Sequence, residues 1–109
     1  MNDYMQYDAT GLAELVNSKQ VSAGELLEAA IARANAVEPT LNAIVQRLDS
    51  LGRSVAAQPV SGPFAGVPFL LKDYGQELAG VANMCGSAAL KNNGSAAGRH
   101  QFTSGPWCS

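Results

Sequence analysis

The chain has 109 residues, 47% of them apolar and 15% charged, and a formal net charge of −2. That size holds one domain at most, and the composition is ordinary for a globular protein. The weak negative charge, with no lysine or arginine cluster to offset it, argues against a nucleic-acid partner, and no apolar run approaches the length of a membrane span.

The first predicted element is a helix over about residues 10–18. Leu12, Leu15 and Val16 fall at i, i+3 and i+4, and Asp8 or Thr10 is placed to cap it. The second predicted helix covers about 22–38. Ser22-Ala23-Gly24-Glu25 is a capping box, with Val21 and Leu26 at staple positions around it. Leu26, Leu27, Ala30, Ile31, Ala34 and Val37 then give a continuous apolar face. Pro39 is expected to end this helix, because the residue before a proline is pushed out of helical geometry.

Alternation of Leu41, Ala43 and Val45 predicts a short strand over about 41–46. A third helix is expected over about 48–57, burying Leu48, Leu51 and Val55 and weakened by Gly52. Residues 58–63 read as a loop from their Pro, Ser and Gly content. Gly66-Val67-Pro68-Phe69-Leu70-Leu71-Lys72-Asp73 follows, with an apolar run short enough for a buried strand over about 67–72. Helices alternating with strands predict an α/β domain.

Lys72 has two readings. In the plainer one it marks the point where a strand meets water, and its ammonium is solvated. In the other it lies in a partly dry site, where burial disfavours an ammonium. A neutral lysine there takes a proton from a hydroxyl nucleophile and returns it to a leaving amine.

The segment from Gly62-Pro63-Phe64-Ala65 through Asp73 resembles the lysine-bearing segment of the amidase signature family. Earlier pieces are similar in the same order: Asp8-Ala9-Thr10 before a helix, Val21-Ser22 with Glu25-Leu26, then Pro39 and Leu41-Asn42-Ala43. The resemblance covers about residues 8–90. It is better for stand-alone bacterial amidases than for the transamidating subunit that acts on misacylated tRNA. It implies an α/β fold, the N-terminal fragment of an amidase-signature domain with a mixed sheet flanked by helices. It also implies a small-molecule amide substrate, no cofactor, and Lys72 as the catalytic lysine.

In that family the lysine deprotonates a bridging serine held by a cis peptide bond. That serine deprotonates the nucleophilic serine, which attacks the amide carbonyl. The two serines lie in segments of the types Gly-Gly-Ser-Ser-Gly-Gly and Asp-x-Gly-Gly-Ser, and neither segment occurs in these 109 residues. Asn93-Gly94-Ser95-Ala96-Ala97-Gly98 lacks the paired serines, so Ser95 receives no catalytic role. Met84-Cys85-Gly86-Ser87 matches only loosely a polar turn of the family near its substrate pocket, and Ser87 reads as an ordinary turn residue.

From Lys91 to Ser109 there is no Leu, Ile, Val or Met and no helical or strand period. The expectation is an amidase-like unit over 1–90 and an irregular, unrelated tail over 91–109, as a change of reading frame would produce. Such a chain would be inactive by itself and would leave sheet edges and apolar surface uncovered.

Other classes are weaker. A small interaction module would use the Leu26/Ile31 face. A cysteine hydrolase would need Cys85 and His100, and the latter, the one histidine, lies in the tail. No phosphate-cradling loop and no metal-ligand spacing occurs. Cys85 and Cys108 form no CxxC pair, and Met1 to Tyr7 has no signal-peptide pattern, so a reducing cytoplasm is expected.

Overall fold

Local capping decides where the first two α-helices begin. The computed structural model describes residues 1–73, 76, 78, 80, 81 and 87. After a single 3-10 turn at Tyr4–Gln6, Asp8 takes extended geometry, and its Oδ1 accepts from the Gly11 backbone N–H at 2.8 Å. Helix α1 (Ala9–Asn17) follows. It closes on left-handed Lys19 (φ 58°), with the Gln20 and Val21 N–H groups donating back to the Leu15 carbonyl. A non-glycine residue in that conformation costs about 1–2 kcal/mol. Here it satisfies carbonyls that the helix end would otherwise leave bare.

Helix α2 (Ala23–Leu41) starts at the capping box seen in the sequence. The Glu25 N–H donates to Ser22 Oγ at 3.1 Å, and the Ser22 N–H donates to Glu25 Oε2 at 2.8 Å. These bonds favour the ionised carboxylate and hold Glu25 below the usual glutamate value.

Pro39 does not end α2; it lies inside the helix. A proline there removes one backbone donor and crowds the turn before it, so it costs the helix one hydrogen bond without stopping it. The stop comes at Asn42, which is left-handed (φ 49°) and donates its N–H to the Glu38 carbonyl at 2.8 Å. Asparagine tolerates that geometry well. The Glu38 side chain then accepts from the Ile44 N–H at 2.8 Å and fixes the exit of the chain.

Helix α3 (Asp49–Ala56) has no side-chain cap at its start. Arg47 orders the approach instead, donating to Asn35 Oδ1 of α2 at 2.8 Å and to Asp49 Oδ2 at 2.9 Å. Gly52 has a purpose the sequence did not show. A Cβ there would lie 3.3 Å from Leu27 Cδ2, so the missing side chain lets α2 and α3 approach closely. Arg53 adds a two-pronged pair to Glu28 of α2 (Nε–Oε1 2.6 Å, Nη2–Oε2 3.1 Å).

The α/β expectation is wrong for the described residues: they form helices and turns, with no strand and no sheet. Leu41, expected to open a strand over 41–46, is the last residue of α2, and the residues after it are irregular with a bend at Val45 and Gln46. Residues 67–72 are neither helix nor strand. Apolar patterning specifies a strand only where another strand supplies backbone partners, and no strand occurs among the described residues to do so.

The core is small. Leu12 and Ala13 of α1, Leu26 of α2 and Ala65 are its buried apolar residues among those described, and Leu26 is fully enclosed. Leu51 and Val55, expected on the buried side of α3, are exposed. No described helix is long and apolar enough to cross a membrane.

Candidate functional site

The segment that carries Lys72 is anchored at one end and open at the other. Pro63 has its fixed φ inside a turn in which the Ala65 N–H donates to the Gly62 carbonyl at 3.2 Å. The Val67 N–H then donates to the Phe64 carbonyl at 3.1 Å. Ala65 is 2% exposed. Gly66 has φ 78°, and a Cβ on it would lie 3.0 Å from Val16 Cγ1 and 3.1 Å from Ala23 Cβ. Glycine is therefore required twice over, for its backbone angle and for its close approach to the α1–α2 junction.

Past this anchor the chain moves outward. Val67 and Pro68 are half-buried, and Phe69 and Leu70 are 55% and 77% exposed. Lys72 is exposed, and its backbone N–H donates to Gln76 Oε1 at 2.7 Å. The structure thus places Lys72 at the surface of the described residues. A role in proton transfer there requires further groups to close around the amine and exclude water.

Shallow hollows occur elsewhere among the described residues. One, of about 310 Å³, lies at the α1–α2 turn beside Lys19, Val21 and Glu25. Another, of about 320 Å³, lies between α2 and α3 beside Leu27, Glu28 and Arg53. Neither is lined by Lys72. In the second, the Arg53 guanidinium holds the Glu28 carboxyl below its usual value, and the pair joins two helices at the surface. Leu26 is buried and Ile31 half-buried, so the α2 face considered for a partner is largely covered. Among the described residues, no three His, Cys, Asp or Glu side chains gather to hold a metal ion.

Ser87 is half-buried. Cys85, Ser95, His100 and the tail over 91–109 lie outside the described residues. Sequence reasoning named Ala65 and Gly66 as parts of the lysine-bearing segment but did not foresee their docking on α1 and α2. Their signal was a small residue beside a glycine, ahead of an apolar run.

An anchored, lysine-bearing segment of this order can be compared with known proteins. The chain is similar to amidases. It is 45% identical over 87 residues to the 6-aminohexanoate-cyclic-dimer hydrolase of Pseudomonas sp. (strain NK87), a match covering 80% of this chain and 17% of the hydrolase. It is 40% identical over 92 residues to the lipoamidase of Enterococcus faecalis, covering 83% of this chain and 13% of that enzyme. Identity falls to 34% over 100 residues for one component of the glutamyl-tRNA(Gln) amidotransferase of Acidothermus cellulolyticus, covering 84% of this chain and 19% of that component. The chain thus spans less than a fifth of the length of each of these proteins. No protein-family model matches it, and no solved structure does. Wherever it begins, a stretch of 87 residues in a chain of 109 takes in residues 23–87. Helices α2 and α3 and the anchored segment fall inside it.

Proposed function

We propose that this chain is the N-terminal part of an amidase-signature hydrolase, and that Lys72 is the lysine of its Ser–cis-Ser–Lys set. The observation that carries this reading is the 45% identity over 87 residues, a stretch that includes the anchored segment. The names of the relatives give the reaction class: a cyclic amide dimer hydrolase and a lipoamidase both act on carboxylic amides. The substrate of this chain is accordingly a small-molecule amide.

In this reading the Lys72 amine accepts a proton from the bridging serine, which accepts one from the nucleophilic serine. The serine oxygen bonds to the amide carbon, backbone N–H groups stabilise the oxyanion, and the C–N bond breaks as the relay returns a proton to the leaving amine. Water then releases the acyl group. Neither serine segment occurs in these residues, so 1–90 is an amidase-like unit that is inactive by itself, followed by an unrelated tail over 91–109. A reducing cytoplasm suits the two widely spaced cysteines.

The test replaces the corresponding segment of the Pseudomonas hydrolase with residues 1–90. The purified 109-residue chain is expected to leave an aryl amide intact and the folded chimera to cleave it. Lys72→Ala in the chimera is expected to lower turnover by about a thousandfold. A folded chimera whose turnover is unchanged by Lys72→Ala removes Lys72 from the mechanism.

A further inference from the structure

One anchor does not place Lys72. Gly66 packs against Val16 and Ala23, and the turn it belongs to closes at the Val67 N–H. Lys72 follows Gly66 by six positions, a span of about 20 Å when extended. Phe69 and Leu70, on the way, are exposed. The docked turn therefore sets where the segment starts and leaves open where Lys72 comes to rest.

The structure supplies a second tie at Lys72 itself. Its backbone N–H donates to Gln76 Oε1 at 2.7 Å, the short end of the usual range. Lys72 is exposed and Gln76 half-buried, so the acceptor comes from the better covered of the two residues. They are four positions apart, so the bond is local and needs no other element to form it. The donor is the main chain, so the tie fixes Lys72 without engaging its amine.

We infer that Gln76 is a positioning residue for Lys72. Its amide oxygen holds the lysine backbone at the far end of a segment whose near end is fixed by Gly66. The inference rests on the proposed function for what the lysine does there, whereas the tie itself stands apart from it. A side chain that takes a proton must lie within hydrogen-bond reach of the group that gives it. A misplacement of about 1 Å is enough to cost a hundredfold in rate. Lysine is a poor residue to leave untied, because its flexible four-carbon stem adds freedom of its own to any freedom of the backbone.

The test begins with the 109-residue chain, in which exchange of the Lys72 amide is followed by NMR. Two variants separate the acceptor from its packing: Gln76→Met keeps the length and loses the oxygen, and Gln76→Glu keeps an oxygen in place. The Lys72 amide is expected to exchange about fivefold faster in Gln76→Met and no faster than in the parent in Gln76→Glu. The amides of α2 should exchange at the parent rate in both. An unchanged Lys72 rate in Gln76→Met overturns the inference. So does an equal rise in Gln76→Glu, since packing rather than the acceptor then holds the lysine. The functional arm uses the folded chimera described above. Gln76→Met is expected to lower kcat about tenfold with KM little changed, and Gln76→Glu to recover most of the loss. A chimera that needs Lys72 but keeps its kcat in Gln76→Met refutes the positioning role alone. A chimera indifferent to Lys72→Ala refutes the proposed catalysis, while the exchange rates still decide whether Gln76 holds the Lys72 backbone.

Discussion

The α1–α2 junction with its docked turn and the Val67–Lys72 segment adjoin in sequence and differ in how they are held. At the junction, Leu26 is fully enclosed, Ala65 is 2% exposed, and Gly66 sits where even a methyl group would collide with Val16 and Ala23. A few residues on, Leu70 is 77% exposed and Lys72 stands at the surface. The first region is specified by groups close at hand: caps, a left-handed turn and a glycine. The second has Val67, Pro68 and Leu71 only half-buried and Phe69 and Leu70 exposed. Lys72 is thus reached from an anchored base and left open on its other side among the described residues.

The contrast can be broken by mutation, and the largest effect is expected at its most enclosed point. Leu26→Ala should cost about 3 kcal/mol, since deletion of a buried leucine loses both transfer energy and packing. Urea denaturation of the 109-residue chain measures it, and a small core leaves little to compensate. Gly66→Ala should cost about 2 kcal/mol, because alanine resists a positive φ and its methyl group meets Val16. The same denaturation series reads this loss.

Ser22→Ala should cost about 1 kcal/mol through loss of the cap. It also has a pH signature. Glu25 and Glu28 are both held below the usual glutamate value, by the Ser22 bonds and by Arg53. A carboxyl whose folded pKa is depressed contributes stability above its unfolded pKa and loses it as pH falls through the folded one. The urea midpoint should therefore drop on acidification through and below the ordinary glutamate range, with a shallower drop in Ser22→Ala. The smallest effect is expected at Leu70→Ser, within about 0.5 kcal/mol in the 109-residue chain, because the side chain it removes is already in water.

What was legible in the sequence follows the same division. The capping box at Ser22 and Glu25 was readable because a cap depends on residues three positions apart, and Asp8 was one of two candidates, with Thr10, for the first cap. The three helices appear within a few residues of their expected bounds. Pro39 misled because a proline disfavours helix at the residue before it without forbidding it, and Asn42 rather than proline sets the stop. The strands over 41–46 and 67–72 were misread because alternation reports which faces are apolar, while a strand also needs a partner from elsewhere in the chain. Gly52 looked like a weakness and is a contact, since its value depends on Leu27 of another helix. At the candidate site, Lys72 was singled out from the residue types around it. Its anchor at Ala65-Gly66 emerged only once α1 and α2 were in place.

Native-state hydrogen exchange of the 109-residue chain measures the central contrast residue by residue. The account predicts that amides of α2 from Leu26 to Ala34 exchange at least about a hundredfold more slowly than those of Phe69, Leu70 and Leu71. Equal protection across the two sets would contradict it, because the lysine-bearing segment would then be as firmly held as the helices beneath it.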